Sequence, residues 1–424
     1  MLLYAYGDAN ASLSAEDLQH GMFTALQQLG EKRKVLAVPP DHTRPYSRAG
    51  ELTAQAFSYY GQDLTDVMPA LGTHAPMSTE QKKRMYPQVP LELFRDHNWR
   101  DDVVTLGEVP ASYVNELTEG RVNYPWPAQV NRLLVEGGHD LILSMGQVVP
   151  HEVAGMANHN KNIFVGAGGA EGINKSHFIG AAYGMERLMG RADNPVRHVL
   201  NYAERAFAQE LPIVYALTVV GRDTEGTTHT RGLFIGDGEE CFRRAAELAR
   251  EVNVTVLEQP VDKVVVYLPP DEYKSTWLGN KSIYRTRMAI ADGGELIVLA
   301  PGVERFGEDQ QIDRLIRTYG YAGGEKVQQA VKEHDELQQN LGAAAHLIHG
   351  SSERRFTITY CPGELTKEEI EGVNYRYSDL SEMKRSIDPE GLENGFNTLP
   401  TGEEVYFIPD PGIGLWAYKE RLES

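Results

Sequence analysis

Short runs of β-branched and aliphatic residues recur along this chain, and each stops at Gly, Pro or Asp: KVLAVPPD at 34–41, DVMPALGTH from 66, DVVTLGE from 102 and LILSMGQ from 141. A continuous apolar run of this length reads as a strand buried on both faces. Helix-compatible stretches lie between the runs, such as AEDLQHGMFTALQQLGEK at 15–32 and PMSTEQKKRMY from 76, where Ser78 or Thr79 can cap the first turn. Strands that alternate with helices pack as parallel sheets covered by helices, so the expected fold class is α/β. A second series begins near 262, with KVVVYLPP, a helix over about 273–291, ELIVLAPG, two further helices to about 345, RRFTITYC and a helix near 378. The sequence therefore predicts two domains, 1–261 and 262–400, each with a largely parallel sheet, and an active site in the cleft between them. The run EEVYFIPDPGIGLWAY at 403–418 predicts a terminal strand segment, 401–424, that returns to the first domain.

At 424 residues and 41 % hydrophobic content the chain can build two proper cores. Its formal charge of −19 argues against nucleic acid and anionic membrane as partners, because both need clustered Lys and Arg. Two cysteines, Cys241 and Cys361, cannot form a disulfide framework or a thiolate cluster, which fits a reducing cytoplasm. Any metal must rely on the 13 histidines and on carboxylates. The opening MLLYAYGDAN has neither a basic region nor a sustained apolar run, and no segment approaches a membrane span. A cytosolic protein is expected.

In open parallel sheets, function collects in the loops beyond the carboxyl ends of the strands. After KVLAV comes PPDHTRP, with Asp41, His42, Thr43 and Arg44; after DVMPAL comes GTHAPMST, with His74; after LILSMG comes QVVPHEVAGMANHNK, with His151, His159 and Lys161, and then GAGGAEGINKSH, which ends in His177. A lone loop histidine is usually a satisfied surface or core group, but several in successive loops point to chemistry. HEVAG is not the zinc-binding H-E-x-x-H pattern, since position 155 is Gly. IFVGAGGAEG at 163–172 reads as a strand followed by glycines, the kind of turn that opens a backbone to phosphate, although Glu171 stands where the third glycine of G-x-G-x-x-G would be. A tight turn needing positive φ explains the run equally well. Lys161, set among Asn158, His159 and Asn160 and just before an apolar run, is placed to be a desolvated, nucleophilic amine.

These residues resemble the nickel-dependent lactate racemases, and the likeness runs through nearly the whole chain. It rests on DHTRP at 41–45, GTHAPMST at 72–79, the series His151, Lys161, His177 at spacings of 10 and 16, Lys281 in WLGNKSIYRTR, and the closing VYFIPDPGIG. The resemblance implies an isomerase that inverts C2 of a small 2-hydroxy acid by reversible hydride transfer. It implies a nickel-pincer nucleotide (a nickel pyridinium-3,5-bisthiocarboxylic acid mononucleotide) tethered to Lys161, with His177 as nickel ligand, and a transient encounter with cofactor-assembly enzymes. Asp41, His42, Thr43 and Arg44 would contact the cofactor, Arg44 and Lys281 the substrate carboxylate, and His74 and His151 would act as acid and base on opposite faces of the substrate. The pincer brings its own carbon and sulfur donors, so one imidazole suffices. The chain departs from lactate-specific members at Asn158, His159 and Asn160, at Leu278 in place of a substrate-binding glutamine, and at Gln338 near the position of a pocket tryptophan. These changes predict a longer, polyhydroxylated acid such as an aldonic acid, with short aliphatic hydroxy acids as the alternative. The rival readings are a nicotinamide-dependent hydroxy acid dehydrogenase, resting on GAGGAEG, and a non-catalytic nickel- or nucleotide-binding protein.

Overall fold

The computed structural model describes residues 1–223 and 226–423 and divides into two units, Met1–Ile179 with Leu188–Asn253, and Gly180–Arg187 with Val254–Ser424. In the first unit the strands β1 (Leu2–Gly7), β2 (Val35–Val38), β3 (Leu64–Val67), β4 (Leu141–Val148), β5 (Ile213–Arg222) and β6 (Thr228–Gly236) form one sheet in the order β1-β6-β5-β4-β2-β3. The pairs β2/β3, β2/β4 and β4/β5 are parallel, while β6 runs antiparallel to both its neighbours. Every residue of β2 and β4 is buried, as an apolar run covered on both faces demands. The helix Ala15–Leu29 starts in a capping box at Ser14 and Asp17 and buries Leu18, Met22, Ala25 and Leu26 against Val35, Leu141 and Leu143. Truncating Leu26 to Ala there would cost about 2–5 kcal/mol.

Three expectations fail in this unit. DVVTLGE forms Val103–Val109, but it pairs antiparallel with Trp126–Asn131 outside the main sheet, and most of its residues are only partly buried. The apolar run from Ile163 is not a strand. Asn162–Gly166 is a wide helical turn leading into the helix Ala170–Tyr183. Its glycines serve packing: a Cβ at Gly168 would lie 2.0 Å from the Phe164 carbonyl oxygen, and one at Gly169 2.5 Å from Gln129 Oε1. The strand–turn–helix context of a dinucleotide site is therefore missing.

In the second unit, β7 (Val261–Tyr267), β8 (Ile290–Ala300), β9 (Thr357–Pro362), β10 (Arg376–Tyr377), β11 (Gly395–Thr398) and β12 (Glu404–Ile408) take the order β10-β9-β8-β7-β12-β11, parallel except for the β11/β12 pair. The terminal segment does not return to the first unit. β12 pairs with β7, and Leu415–Tyr418 pairs with Val254–Leu257, because an apolar strand with a free parallel edge beside it gains a full ladder there. The boundary accordingly falls at 253/254 rather than 261/262. Residues 180–187 also group with this unit, where the carboxylate of Glu186 receives Arg287 Nε at 2.8 Å and Arg355 Nη2 at 2.9 Å. The expected helix over 273–291 is two short turns, Thr276–Gly279 and Lys281–Tyr284.

Candidate active site

In the first unit the chain steps from β2 to β3 on one side and then places β4 on the other side of β2, so strand order reverses between β2 and β4. Ligands collect at the carboxyl ends of strands beside such a reversal. Asp41 leaves the end of β2, His74 follows β3, and His151 follows β4. Lys161 precedes the helical turn Asn162–Gly166, which is fastened to the sheet: Asn162 Nδ2 donates to Val38 O at 2.9 Å and to Ser144 Oγ at 3.0 Å. His177 projects from the helix that follows.

The hydrogen bonds set the tautomers. Asp41 Oδ2 lies 2.7 Å from His74 Nδ1, and Thr43 donates its hydroxyl to Asp41 Oδ1 at 2.6 Å. Burial pushes the Asp41 carboxyl up, but these two bonds and the nearby imidazoles outweigh it and hold the group below its ordinary range. A carboxylate only accepts, so His74 carries its proton on Nδ1 and keeps a lone pair on Nε2. The ring is half exposed, whereas Asp41 is buried. His177 donates Nδ1–H to Ile173 O at 2.7 Å, which likewise leaves Nε2 as an acceptor. His151 is the opposite case. Its Nδ1 accepts from the Val153 backbone N–H at 3.1 Å, so in the neutral ring the proton sits on Nε2.

Burial dominates the electrostatics. It drives His151 well below its ordinary value, with Glu152, 3.7 Å away, opposing, and with Lys161, Arg44 and His177 adding to the drop. It lowers His177 to about 4 and, together with Arg44, lowers Lys161 to about 8. Glu152, Lys161, Arg44 and His177 thus lie within electrostatic reach of His151, and His74 lies within reach of His177. Arg44 is partly buried, and among the described residues its guanidinium makes no hydrogen bond or ion pair. His42 and Thr43 are exposed beside it.

The three polar residues at which the chain departs from lactate-specific members lie inside the fold. His159 and Asn160 are fully buried and Asn158 nearly so. His159 lies against Tyr215 and Phe242, at centroid distances of 4.0 and 5.1 Å, and the amide of Asn160 bonds Asn201, Glu204 and Arg197. Hydroxyls of a substrate have nothing to meet there. Glu152, the Val153 amide and Arg197 are the members that sequence reasoning missed. A glutamate next to a candidate histidine was a legible signal for the first; nothing marked the other two.

In the second unit the strand order reverses between β7 and β12. Tyr273 and Asp410, beyond the ends of those strands, meet there at 3.2 Å, and Lys281 Nζ lies 5.6 Å from the Tyr273 ring centre. Leu278 and Lys281 are both partly exposed on the short turns that follow β7. Gln338 is exposed at the end of the turn Asp335–Gln338, and Leu337 takes the buried position.

The residues fit a lysine-tethered cofactor that brings most of its own metal donors: one partly buried neutral imidazole with its proton on Nδ1, one partly buried amine of lowered basicity, and a guanidinium without a partner among the described residues. Fold and site together define a two-unit α/β protein with a histidine–lysine centre at the switch point of its first sheet. Residues 20–186 match the lactate racemase N-terminal domain. The lactate racemase of Thermoanaerobacterium thermosaccharolyticum is 24 % identical over 298 residues, which cover 66 % of this chain and 63 % of that enzyme. A crystal structure of a Thermotoga maritima protein superposes with a TM-score of 0.80 at 25 % identity, covering 98 % of this chain and all of that one. The apoprotein of the Thermoanaerobacterium lactate racemase superposes at 0.71 with 18 % identity, covering 96 % and 93 %. The first unit thus resembles the lactate racemase N-terminal domain, and the whole chain shares its fold with these solved structures.

Proposed function

We propose that this protein is an isomerase that inverts C2 of a 2-hydroxy acid, with Lys161 as the tether of a nickel-pincer nucleotide and His177 as its protein ligand to nickel. The observation that carries the reading is that His74 and His151, on loops after β3 and β4, each lie within electrostatic reach of His177, which also feels Lys161. When bound, the cofactor supplies a hydride acceptor, so that the C2–H bond breaks without placing a carbanion beside the carboxylate.

The protein's own groups move the proton and hold the substrate. His74 Nε2 takes the hydroxyl proton, and the ionised Asp41 behind it steadies the imidazolium that forms. His151 offers Nε2–H to the substrate oxygen. To act as a base from the opposite face it must first shift its proton to Nδ1 and release the Val153 amide. The two histidines are therefore unequal at rest. Arg44 is the proposed carboxylate contact beside the two histidines, and Lys281 is proposed as a second on the resemblance alone. A polyhydroxylated acid remains the proposed substrate, resting on Leu278 and Gln338 alone, since Asn160 is committed to internal partners and the His159 ring is buried against Tyr215 and Phe242. The dehydrogenase reading loses its support with the helical turn at Asn162–Gly166.

The test is to produce the protein with cofactor-assembly enzymes, map the Lys161 peptide by mass, and assay a panel of 2-hydroxy acids for C2 inversion. A nucleotide on Lys161 and inversion of a sugar acid are expected. An unmodified Lys161 in active enzyme would sink the tether, and a preference for lactate would sink the substrate class.

A further inference from the structure

The turn that delivers Lys161 is built from two consecutive non-glycine residues in the left-handed region, Asn158 at φ 63° and His159 at φ 58°. Such a conformation is strained and persists only where its surroundings dictate it. What dictates it here is Arg197, 3 % exposed, on the helix Pro195–Phe207. Its Nη2 donates to Met156 O at 2.7 Å, Nη1 and Nη2 approach Asn158 O at 3.3 and 3.4 Å, and Nη1 also donates to Asn160 Oδ1. One guanidinium thus grips the turn before, within and after its left-handed pair. The Asn160 amide is held from the other end by Asn201 Oδ1 at 2.6 Å and Glu204 Oε2 at 2.9 Å, and Glu204 in turn accepts the Tyr215 hydroxyl. Phe242 lies flat against both His159 and Arg197, the latter at 4.1 Å from the ring centre. Gly146, at φ 141°, backs the same turn, and a Cβ there would fall 2.4 Å from Asn158 Nδ2.

The geometry points to Arg197 as the positioning residue of the tether, which holds Lys161 in the orientation needed for covalent attachment. This rests on the tethering role proposed for Lys161. A planar fork with fixed donors suits the task, because it binds several oxygens at set angles where an ammonium binds as a point charge. All its acceptors among the described residues are neutral oxygens, so its charge also reaches the amine. The charged groups facing Lys161 are Arg44, Glu152 and Arg197, with burial the largest influence on it.

The experiment uses the full-length protein made without cofactor-assembly enzymes, treated with the N-hydroxysuccinimide ester of acetic acid across a pH series. The Lys161 amine attacks the ester carbonyl, an amide forms, N-hydroxysuccinimide leaves with the bonding electron pair, and the amine proton passes to buffer. Peptide mass mapping reads acetylation at Lys161 against exposed Lys326 as internal reference. Arg197→Met is expected to slow Lys161 labelling by about ten-fold or more at neutral pH and to move its pH midpoint upward, with Lys326 unchanged. Arg197→Lys keeps the charge but not the fork, so it should lose rate while holding the midpoint. Parental rate and midpoint in a folded Arg197→Met protein overturn the proposal. If that variant does not fold, Asn160→Ala decides, since it deletes the side-chain arm of the grip and leaves Arg197 in place: a several-fold loss supports the role, and parental labelling overturns it. A Lys161 that labels normally yet never carries a nucleotide in the assembly host would instead overturn the tether itself.

Discussion

Asp41 Oδ2 and His74 Nδ1 lie 2.7 Å apart, a buried carboxylate behind a half-exposed ring. That contact directs the free lone pair of His74 outward. Asp41→Asn can donate to Nδ1 instead of accepting, which selects the wrong tautomer. A fall in kcat of about 100-fold or more is expected, with little change in nickel content, measured on cofactor-loaded enzyme. Asp41 is also held below its ordinary pKa of 3.8 despite burial. Its stabilising contribution is therefore complete above that value and lost as pH falls through the lower folded value, so acid unfolding of Asp41→Asn should be the less steep of the two.

His151 should stay neutral well below pH 6.5, because burial opposes its charge and the Val153 amide occupies Nδ1. Nitrogen-15 histidine spectra of the apoprotein are expected to report a proton on Nε2 of His151 and on Nδ1 of His74. A His151 ring protonated on Nδ1 at neutral pH would remove the asymmetry between the two histidines.

Lys161→Met tests the partly buried amine. Its folded pKa lies near 8 against 10.5 for the free side chain. A base with a lowered folded pKa costs stability most fully below that folded value, and the cost fades as pH rises toward the unfolded one. Lys161→Met apoprotein should gain about 1–3 kcal/mol at neutral pH, after discounting for the partial exposure of the side chain, and should converge with the parent near pH 10.5 in denaturant titrations.

Nickel and tether should separate genetically. His177→Ala is expected to retain the nucleotide mass on Lys161 and lose nickel, whereas His74→Ala and His151→Ala keep both and lose turnover. Metal analysis with intact mass decides this. Stoichiometric nickel in His177→Ala would reassign the ligand.

The sequence by itself determined the parallel strands β2, β3 and β4, because buried apolar runs with polar stops admit few other structures, and with them the loops that carry Asp41, His74 and His151. It also determined the start of the helix Thr79–Met85, since Ser78 and Gln81 cap each other within four residues. Local pattern did not reveal that Val103–Val109 leaves the main sheet, that Leu415–Tyr418 stays in the second unit, or that the apolar run after Lys161 is helical. Those outcomes depend on which distant edge or surface is open to receive a segment, and short apolar runs are locally ambiguous between helix and strand. The same holds at the site. Asn158, His159 and Asn160 look like solvated loop residues in sequence, and only tertiary packing brings Arg197, Glu204, Tyr215 and Phe242 around them, because a buried polar turn is stable only where each of its oxygens finds a donor.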